Sequence, residues 1–308
     1  MSAESVTRRI KDKVFEQGFD LCGIAQSRIL VESKEILHKW CDSGMNDILG
    51  YLSRNIEKRT DPSRLLPGTK SVIVTGLSYN TEKQQREGVP VISRYAYGSD
   101  YHTVIGKKLE AVLDFIKSLA PGASGRCMVD SAPLSEKSWA MEAGLGWQGR
   151  NAVIINRKLG SFFFIGVILT DIVLEYDKPF TRDYCGNCRR CMESCPTGAI
   201  NDDRTIDARR CIANLTIENR RPVPVNLAPL MEGMVYGCDR CQEVCPWNAE
   251  APRHSVAEFE LPEELAGLTG EEWLSMSPER FDVLFRQSAI WRKGYGSFFD
   301  NIRRICNT

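Results

Sequence analysis

The chain lacks a net charge: 40 basic side chains stand against 40 acidic ones, so no global field announces a nucleic-acid partner. It also lacks any apolar run near the roughly 20 residues of a membrane span. The longest, around residues 162–169, is strand-sized. The start, MSAESVTRRIKDKVF, spreads charges where a signal peptide needs an apolar core. Neither a GxGxxG fingerprint nor a P-loop is present, which leaves a nicotinamide or ATP site unsupported. No repeat of roughly 20–50 residues and no low-complexity tract breaks the pattern. With 308 residues, 43% of them hydrophobic and 26% charged, the chain can bury the core of one large domain or two. The expectation is a cytoplasmic globular protein. In that compartment thiols stay reduced, and clustered cysteines bind metal more often than they form disulfides.

Cysteine is what the chain has in quantity, twelve in all, and eight fall into two runs. The first is Cys185-x2-Cys188-x2-Cys191-x3-Cys195-Pro196. The second is Cys238-x2-Cys241-x3-Cys245-Pro246, with Cys211 alone upstream. In two-cluster bacterial ferredoxins three closely spaced thiolates hold one cluster and the fourth reaches across to the other. The second run lacks its first cysteine, and Cys211 can supply it. The spacing therefore assigns Cys185, Cys188, Cys191 and Cys245 to one 4Fe–4S cluster. Cys195, Cys211, Cys238 and Cys241 go to the other. Zinc is the rival, since repeated CxxC pairs also make tetrahedral thiolate sites. A zinc site has no need of the Cys-Pro endings or of the third cysteine in CxxCxxC.

Composition shifts near residue 180. Before it, Val6, Ile10, Val14 and Phe15 form a helical stripe, and residues 71–77 (SVIVTGL) form a strand-length β-rich run after Pro67-Gly68. Residues 103–119 are predicted helical, with Ile105, Leu109, Val112, Ile116 and Leu119 on one face and Pro121-Gly122 at the end. Residues 126–129 read as a short strand and 135–143 as a helix opened by a serine cap. Residues 152–156 and 161–169 read as two strands joined by a turn at 157–160. The fold class is mixed α/β (α+β or α/β) over residues 1–175. Residues 176–255 follow as a cluster segment whose loops are fixed by metal. Residues 256–308 form a helical C-terminal extension.

Two clusters alone would make an electron carrier, so the first 180 residues must hold what the electrons are for. Three segments offer chemistry. ISRYAYGSDYH (92–102) carries three tyrosines, an arginine, an aspartate and a histidine just before a helix; a ligand site and a surface loop with packed aromatics fit it equally. In VDSAP (129–133) a strand runs out into a turn, where carboxylates of α/β folds point into ligand crevices. Asp130 there is either a proton donor, its pKa raised by desolvation, or a turn cap. In GLGWQGRN (144–151) the glycines let backbone amides approach a ligand, and Arg150 can pair with a phosphate or carboxylate.

Taken together, ISRYAYGSDYH, VDSAPLSEKSWAMEAGLGWQGRN, both cysteine runs and CIANLTIENR closely resemble the epoxyqueuosine reductases, from about residue 5 to residue 300. The resemblance implies an α/β domain binding cobalamin in its base-off form beside a ferredoxin-like domain with two 4Fe–4S clusters, an architecture shared with reductive dehalogenases. It implies reduction of the epoxide of epoxyqueuosine to queuosine at the wobble position of tRNA, with Asp130 as proton donor. It points to Arg54, Ser93, Tyr95, Tyr97, Asp130, Ser131, Arg150, Asn151, Ser161 and Thr216 as cobalamin contacts. Glu218, Asn219, Arg220 and Arg221 are its candidates for tRNA, held at the anticodon stem-loop. It further implies a low-potential donor such as flavodoxin or ferredoxin, a monomer, and no membrane. Two departures stand out. Many members carry a C-terminal helical-repeat domain that helps hold tRNA, whereas this sequence stops at Thr308. Asp100-x-His102 followed by Gly106 is near the D-x-H-x-x-G motif that supplies a histidine cobalt ligand elsewhere, but the glycine is one residue late, so no histidine ligand is expected.

A neutral chain that binds a polyanion must segregate its positive charge. Basic pairs sit at Arg189-Arg190, Arg209-Arg210, Arg220-Arg221, Arg292-Lys293 and Arg303-Arg304. Tyr97, Tyr236 and Trp247 are available to read an unstacked base. Two other functions remain open: a corrinoid reductase of a small molecule such as an organohalide, and a non-catalytic electron-transfer protein. The lack of a twin-arginine export signal and the ISRYAYG and LTIE segments weigh against the first, and bound corrinoid would separate the second from both enzyme readings.

Overall fold

The computed structural model describes residues 3–306. Its strands in chain order are β1 (Leu21–Gln26), β2 (Ser71–Ser78), β3 (Val91–Ile92), β4 (Gly125–Met128), β5 (Trp147–Gln148), β6 (Ile154–Ile155), β7 (Phe163–Thr170) and β8 (Met234–Tyr236). Strands β1, β2, β7 and β4, in that order, form a sheet whose neighbours are all antiparallel. Every residue of β2 is buried, because both faces of the sheet are covered. That is why SVIVTGL is apolar without alternation.

Helices Ala3–Glu16 and Tyr101–Leu119 cover one face, where Ile10, Val14, Ile105, Leu109 and Ile116 meet Ile24, Ile73 and Ile168. On the other face helix Glu136–Glu142 sets the fully buried Trp139 among Val72, Val74, Val167 and Leu169. Burying each such side chain contributes about 1.5–3 kcal/mol, enough to fix where the flanking loops emerge. Gly166 allows the long helix to lie close: a Cβ there would stand 2.9 Å from Ile105 Cγ2.

Three expectations change on the structure. Residues 152–156 and 161–169 do not form one hairpin. Strand β6 pairs with β5 through Trp147↔Ile155, while β7 enters the central sheet and only Asn156↔Gly160 closes the turn. The buried sheet offers β7 two partners, which outweigh the local pairing. Ser135 occupies the N-cap of its helix without a side-chain capping bond. Finally, residues 256–306 are not an appendage. Leu261, Trp273, Phe281, Phe285, Phe298 and Ile302 share one core with Ile92, Leu215, Met234 and Tyr236, and β3 pairs in parallel with β8. The boundary placed at 255/256 is therefore no break in packing, and the cluster segment rests on an apolar core as well as on its thiols.

Candidate active site

The candidate site has two parts, the thiols of the cysteine runs and a polar cleft. Cys185, Cys188, Cys191 and Cys245 line one cavity with Arg150, Tyr184 and Trp247. The short helical turns Arg190–Glu193 and Arg240–Glu243 pack side by side, and Cys195 and Cys245 each follow one of them. Proline next in line needs no N–H partner there. In the second set burial pushes the Cys238 thiol up to about 12, with Cys211 and Cys195 adding to the shift. Cys241 is raised by burial and by Cys238 and Cys211. Thiols held this way release their protons on binding metal. Among the described residues no three His, Cys, Asp or Glu side chains gather tightly enough for a single ion. The Trp147 indole N–H donates to Cys185 Sγ at 3.4 Å and the Ala199 N–H to Cys195 Sγ at 3.3 Å.

The cleft, about 460 Å³, is walled by Tyr51, Tyr95, Tyr101, His102, Asp130, Glu218, Tyr236, Arg292 and Lys293 among others. Asp130 sits where β4 leaves the sheet, in the left-handed region at φ 53°. A non-glycine residue there costs about 1–3 kcal/mol, so its neighbours must hold it. Glu136 Oε1 accepts the Asp130 N–H at 2.7 Å, and the Tyr101 hydroxyl donates to Asp130 Oδ2 at 2.6 Å. The Tyr101 ring stacks on Phe164 of β7 at 4.3 Å. Asp100 caps the long helix, binds His102 Nδ1 at 2.6 Å and pairs with Arg292 at 2.8 Å. Desolvation, reinforced by the Asp130 charge, pushes the half-buried Glu136 carboxyl up to about 8. Desolvation lowers Lys137, against the pull of Asp130 and the Cys211 and Cys241 thiols. Its ammonium thus lies between the cleft acid and the second thiol set.

Of the residues selected from sequence, the structure gathers Tyr95, Asp130, Ser131, Glu218 and Arg220 at this cleft. The others lie elsewhere. Ser93 bonds to Asp239, and Tyr97 lines a different cleft with Ser99 and Glu258. Arg150 and Asn151 sit by the first thiol set. Ser161 Oγ accepts from Gln242 and Asn248, and Thr216 Oγ1 donates to the Ile212 carbonyl and accepts from the Gly237 N–H. Arg54 is exposed at the end of helix Gly50–Arg54, and Asn219 Oδ1 accepts from the Arg221 N–H. Sequence reasoning passed over Tyr51, Glu136 and Lys137, and it noted Tyr101, His102, Arg292 and Lys293 only as members of a motif, a segment or a basic pair, without placing them at this cleft. The Asp100 cap before a helix could have tied Tyr101 to the site; the basic character of the C-terminal pair was visible, but not where it packs.

The part played by Arg220 changes most. Its guanidinium donates to the Arg292 carbonyl at 2.6 Å and also to that of Lys293, so it is spent on backbone rather than offered to phosphate. Lys293 in turn donates to the Ile217 carbonyl at 3.3 Å and to that of Asn219. Hydrogen bonds to charged groups contribute about 1.5–3 kcal/mol. Arg220→Ala should therefore lower unfolding stability by roughly that amount. Arg221→Ala, at an exposed position, should leave it within about 0.5 kcal/mol. Equal denaturation midpoints for the two variants would show that Arg220 does not tie the segment down.

Residues 59–131 match the family model described as epoxyqueuosine reductase QueG, DUF1730, and residues 184–248 match that of a 4Fe-4S double cluster binding domain. The epoxyqueuosine reductase of Cyclobacterium marinum is 40% identical over 306 residues, covering 99% of this chain and 98% of that protein. Among solved structures, a Bacillus subtilis epoxyqueuosine reductase with its catalytic loop swung out of the active site superposes with a TM-score of 0.88 at 28% identity. It covers 99% of this chain and 82% of that one. An epoxyqueuosine reductase with a tRNA-Tyr epoxyqueuosine-modified tRNA stem loop gives 0.86 at 29% identity, over 99% and 81%.

Proposed function

The chain belongs to the epoxyqueuosine reductase family, and we propose that its cleft reduces epoxyqueuosine to queuosine at the wobble position of tRNA. The observation that carries this reading is the placement of Asp130, held by Tyr101 and Glu136 in the lining of a cleft and linked through Lys137 to the Cys211 and Cys241 thiols. The first set, Cys185, Cys188, Cys191 and Cys245, holds one 4Fe–4S cluster, and Cys195, Cys211, Cys238 and Cys241 hold the second. Residues 186–190 beside the first are largely exposed, whereas 214–216 and 234–237 beside the second are buried. With clusters bound, the exposed first set would be the one open to a donor, and the buried second set the one that Lys137 joins to Asp130.

Cobalamin in its base-off form is the group we place between that second set and Asp130. The fit rests on the open polar volume there and on the buried Arg59 Nε, which has no protein partner and whose guanidinium faces Asp130 and Glu136. When bound, it supplies a reduced cobalt that delivers electrons to the epoxide carbon. The overall change consumes two electrons and two protons and yields an alkene and water. Asp130 protonates the departing oxygen, Tyr101 keeps its carboxyl aimed into the cleft, and Glu136 holds a second proton in the same turn. Lys137 offsets the negative charge of the thiolate-bound cluster behind them. The exposed Arg292 brings positive charge to the side where a tRNA backbone must pass. No described helix is long and apolar enough to cross a membrane. We place the protein in the cytoplasm, with its tRNA and a low-potential donor of the flavodoxin or ferredoxin type, as a monomer.

Glu136 gives this reading a pH signature. Its folded value of about 8 lies above the ordinary 4.5, so the native state holds the proton more tightly than the unfolded chain. The stability this contributes is complete below 4.5 and is lost as pH rises through about 8. Turnover should fall over the same alkaline limb. Glu136→Gln keeps an acceptor for the Asp130 N–H but does not titrate, so its profile should lose that limb. An unchanged limb in the variant would remove Glu136 from the proton supply. The cofactor is tested by adding cobalamin to the anaerobic protein and recording the electron paramagnetic resonance of its Co(II) form. Loss of nitrogen splitting from the axial base is expected; retained splitting contradicts base-off binding.

A further inference from the structure

The first thiol set lies under a face that the cleft does not use. The Tyr184 ring covers it, packed against Trp147 at 5.2 Å and Trp247 at 5.9 Å. Two arginines lie over that ring, Arg157 at 5.0 Å and Arg182 at 4.7 Å from its centre. Arg150 and Arg190 complete the rim beside Cys185 and Cys191. Among the described residues none of these four forms an ion pair, although neighbouring arginines do: Arg189 with Asp202 at 2.6 Å and Arg204 with Asp183 at 2.5 Å. Arg157, Arg182 and Arg190 are exposed. The acids on this face are Asp183, paired with Arg204 and also facing Arg150, and Glu193 and Glu243, of which Glu243 is engaged by Arg94. In a chain of zero net charge, four arginines outside any ion pair, three of them exposed, form a local positive field over one thiol set whose nearest acids are mostly engaged by other arginines.

We propose that this arginine-rimmed face is the docking site for a small acidic protein that carries one electron at a time. The inference rests on the reductase reading, which needs a donor. Each encounter oxidises the carrier by one electron and reduces the first cluster by one. Two encounters supply the pair that, with two protons, turns the epoxide into alkene and water. Charge of this kind raises the association rate and makes it fall with salt. A tRNA is the other polyanion such a face fits. It is disfavoured because the rim surrounds Cys185 and Cys191, whereas the reacting base must reach Asp130 at the cleft.

The test uses the cluster-loaded, cobalamin-loaded protein and an acidic flavodoxin as probe. Arg157→Glu with Arg182→Glu should weaken flavodoxin binding, and raise its Michaelis constant, by about tenfold or more at low salt, an effect that shrinks as salt rises. Arg157→Lys with Arg182→Lys should restore most of the affinity. Turnover driven by reduced methyl viologen, the Michaelis constant for tRNA and the iron content should not change. Unchanged flavodoxin binding overturns the proposal. So does a raised tRNA Michaelis constant with normal flavodoxin kinetics, which would give the face to nucleic acid. Loss of iron or of viologen-driven turnover in both variants would make these arginines structural and overturn it as well. If the unaltered protein makes no queuosine with viologen, the reductase reading fails, while the binding measurement still decides whether the face takes the carrier.

Discussion

Asp130→Ala and Asp130→Asn should each lower turnover by about 10²–10⁴-fold, the usual contribution of a positioned general acid. Iron, sulfide and bound cobalamin should stay at their normal levels, because the partners that hold Asp130, Tyr101 and Glu136, belong to the α/β body and not to the thiol sets. The asparagine variant is the sharper of the two. It keeps the shape and the left-handed backbone, which asparagine tolerates well, and loses only the ionisable proton. Near-normal turnover in both variants would take Asp130 out of the chemistry. Loss of cobalamin in both would make its part structural. Tyr101→Phe should fall between these and the unaltered enzyme, since the carboxyl would lose the hydroxyl that aims it but keep its proton.

The second large effect concerns the thiols. Anaerobically purified protein should hold about eight iron and eight sulfide per chain, as two 4Fe–4S clusters require. Cys188→Ala and Cys241→Ala should each remove about four of each and abolish turnover, since either break severs the electron route. The Cys241 variant should also be the less stable, because its set lies deep against the apolar core formed by Leu215, Met234, Trp273 and Phe298. Cys22, Cys41, Cys127 and Cys306 should be dispensable to the count. Stoichiometric zinc without sulfide would end the iron–sulfur reading.

Much of this was legible where the signal is local. The helix over 103–119 and the strand at 71–77 follow from apolar periodicity and from flanking proline and glycine, and the structure has Tyr101–Leu119 and Ser71–Ser78. The cysteine spacing predicts a crossed arrangement because short loops fix the reach of each thiolate, and Cys245 does lie with Cys185, Cys188 and Cys191. Asp130 was visible as a carboxylate at a strand end. Its clamp was not, because Tyr101 is 29 residues away and meets it only through the packing of helix on sheet. Arg220 shows the converse. A basic pair in a loop reads as a phosphate contact, and nothing nearby reveals that carbonyls 72 residues downstream occupy its guanidinium. Residues 256–306 looked like an extension because their helical stripes do not say what they pack against; the answer lies in β3 and β8. Long-range pairing decides each of these cases.

The most direct measurement is the fate of the nucleoside. Protein carrying both clusters is incubated anaerobically with cobalamin, reduced viologen and tRNA bearing epoxyqueuosine, and the digested tRNA is analysed by mass spectrometry. Conversion to queuosine, with one oxygen fewer, is expected, and omitting cobalamin should abolish it. Intact epoxyqueuosine in the presence of full clusters and cobalamin would contradict the proposed function, most plainly if the same preparation reduced an organohalide instead.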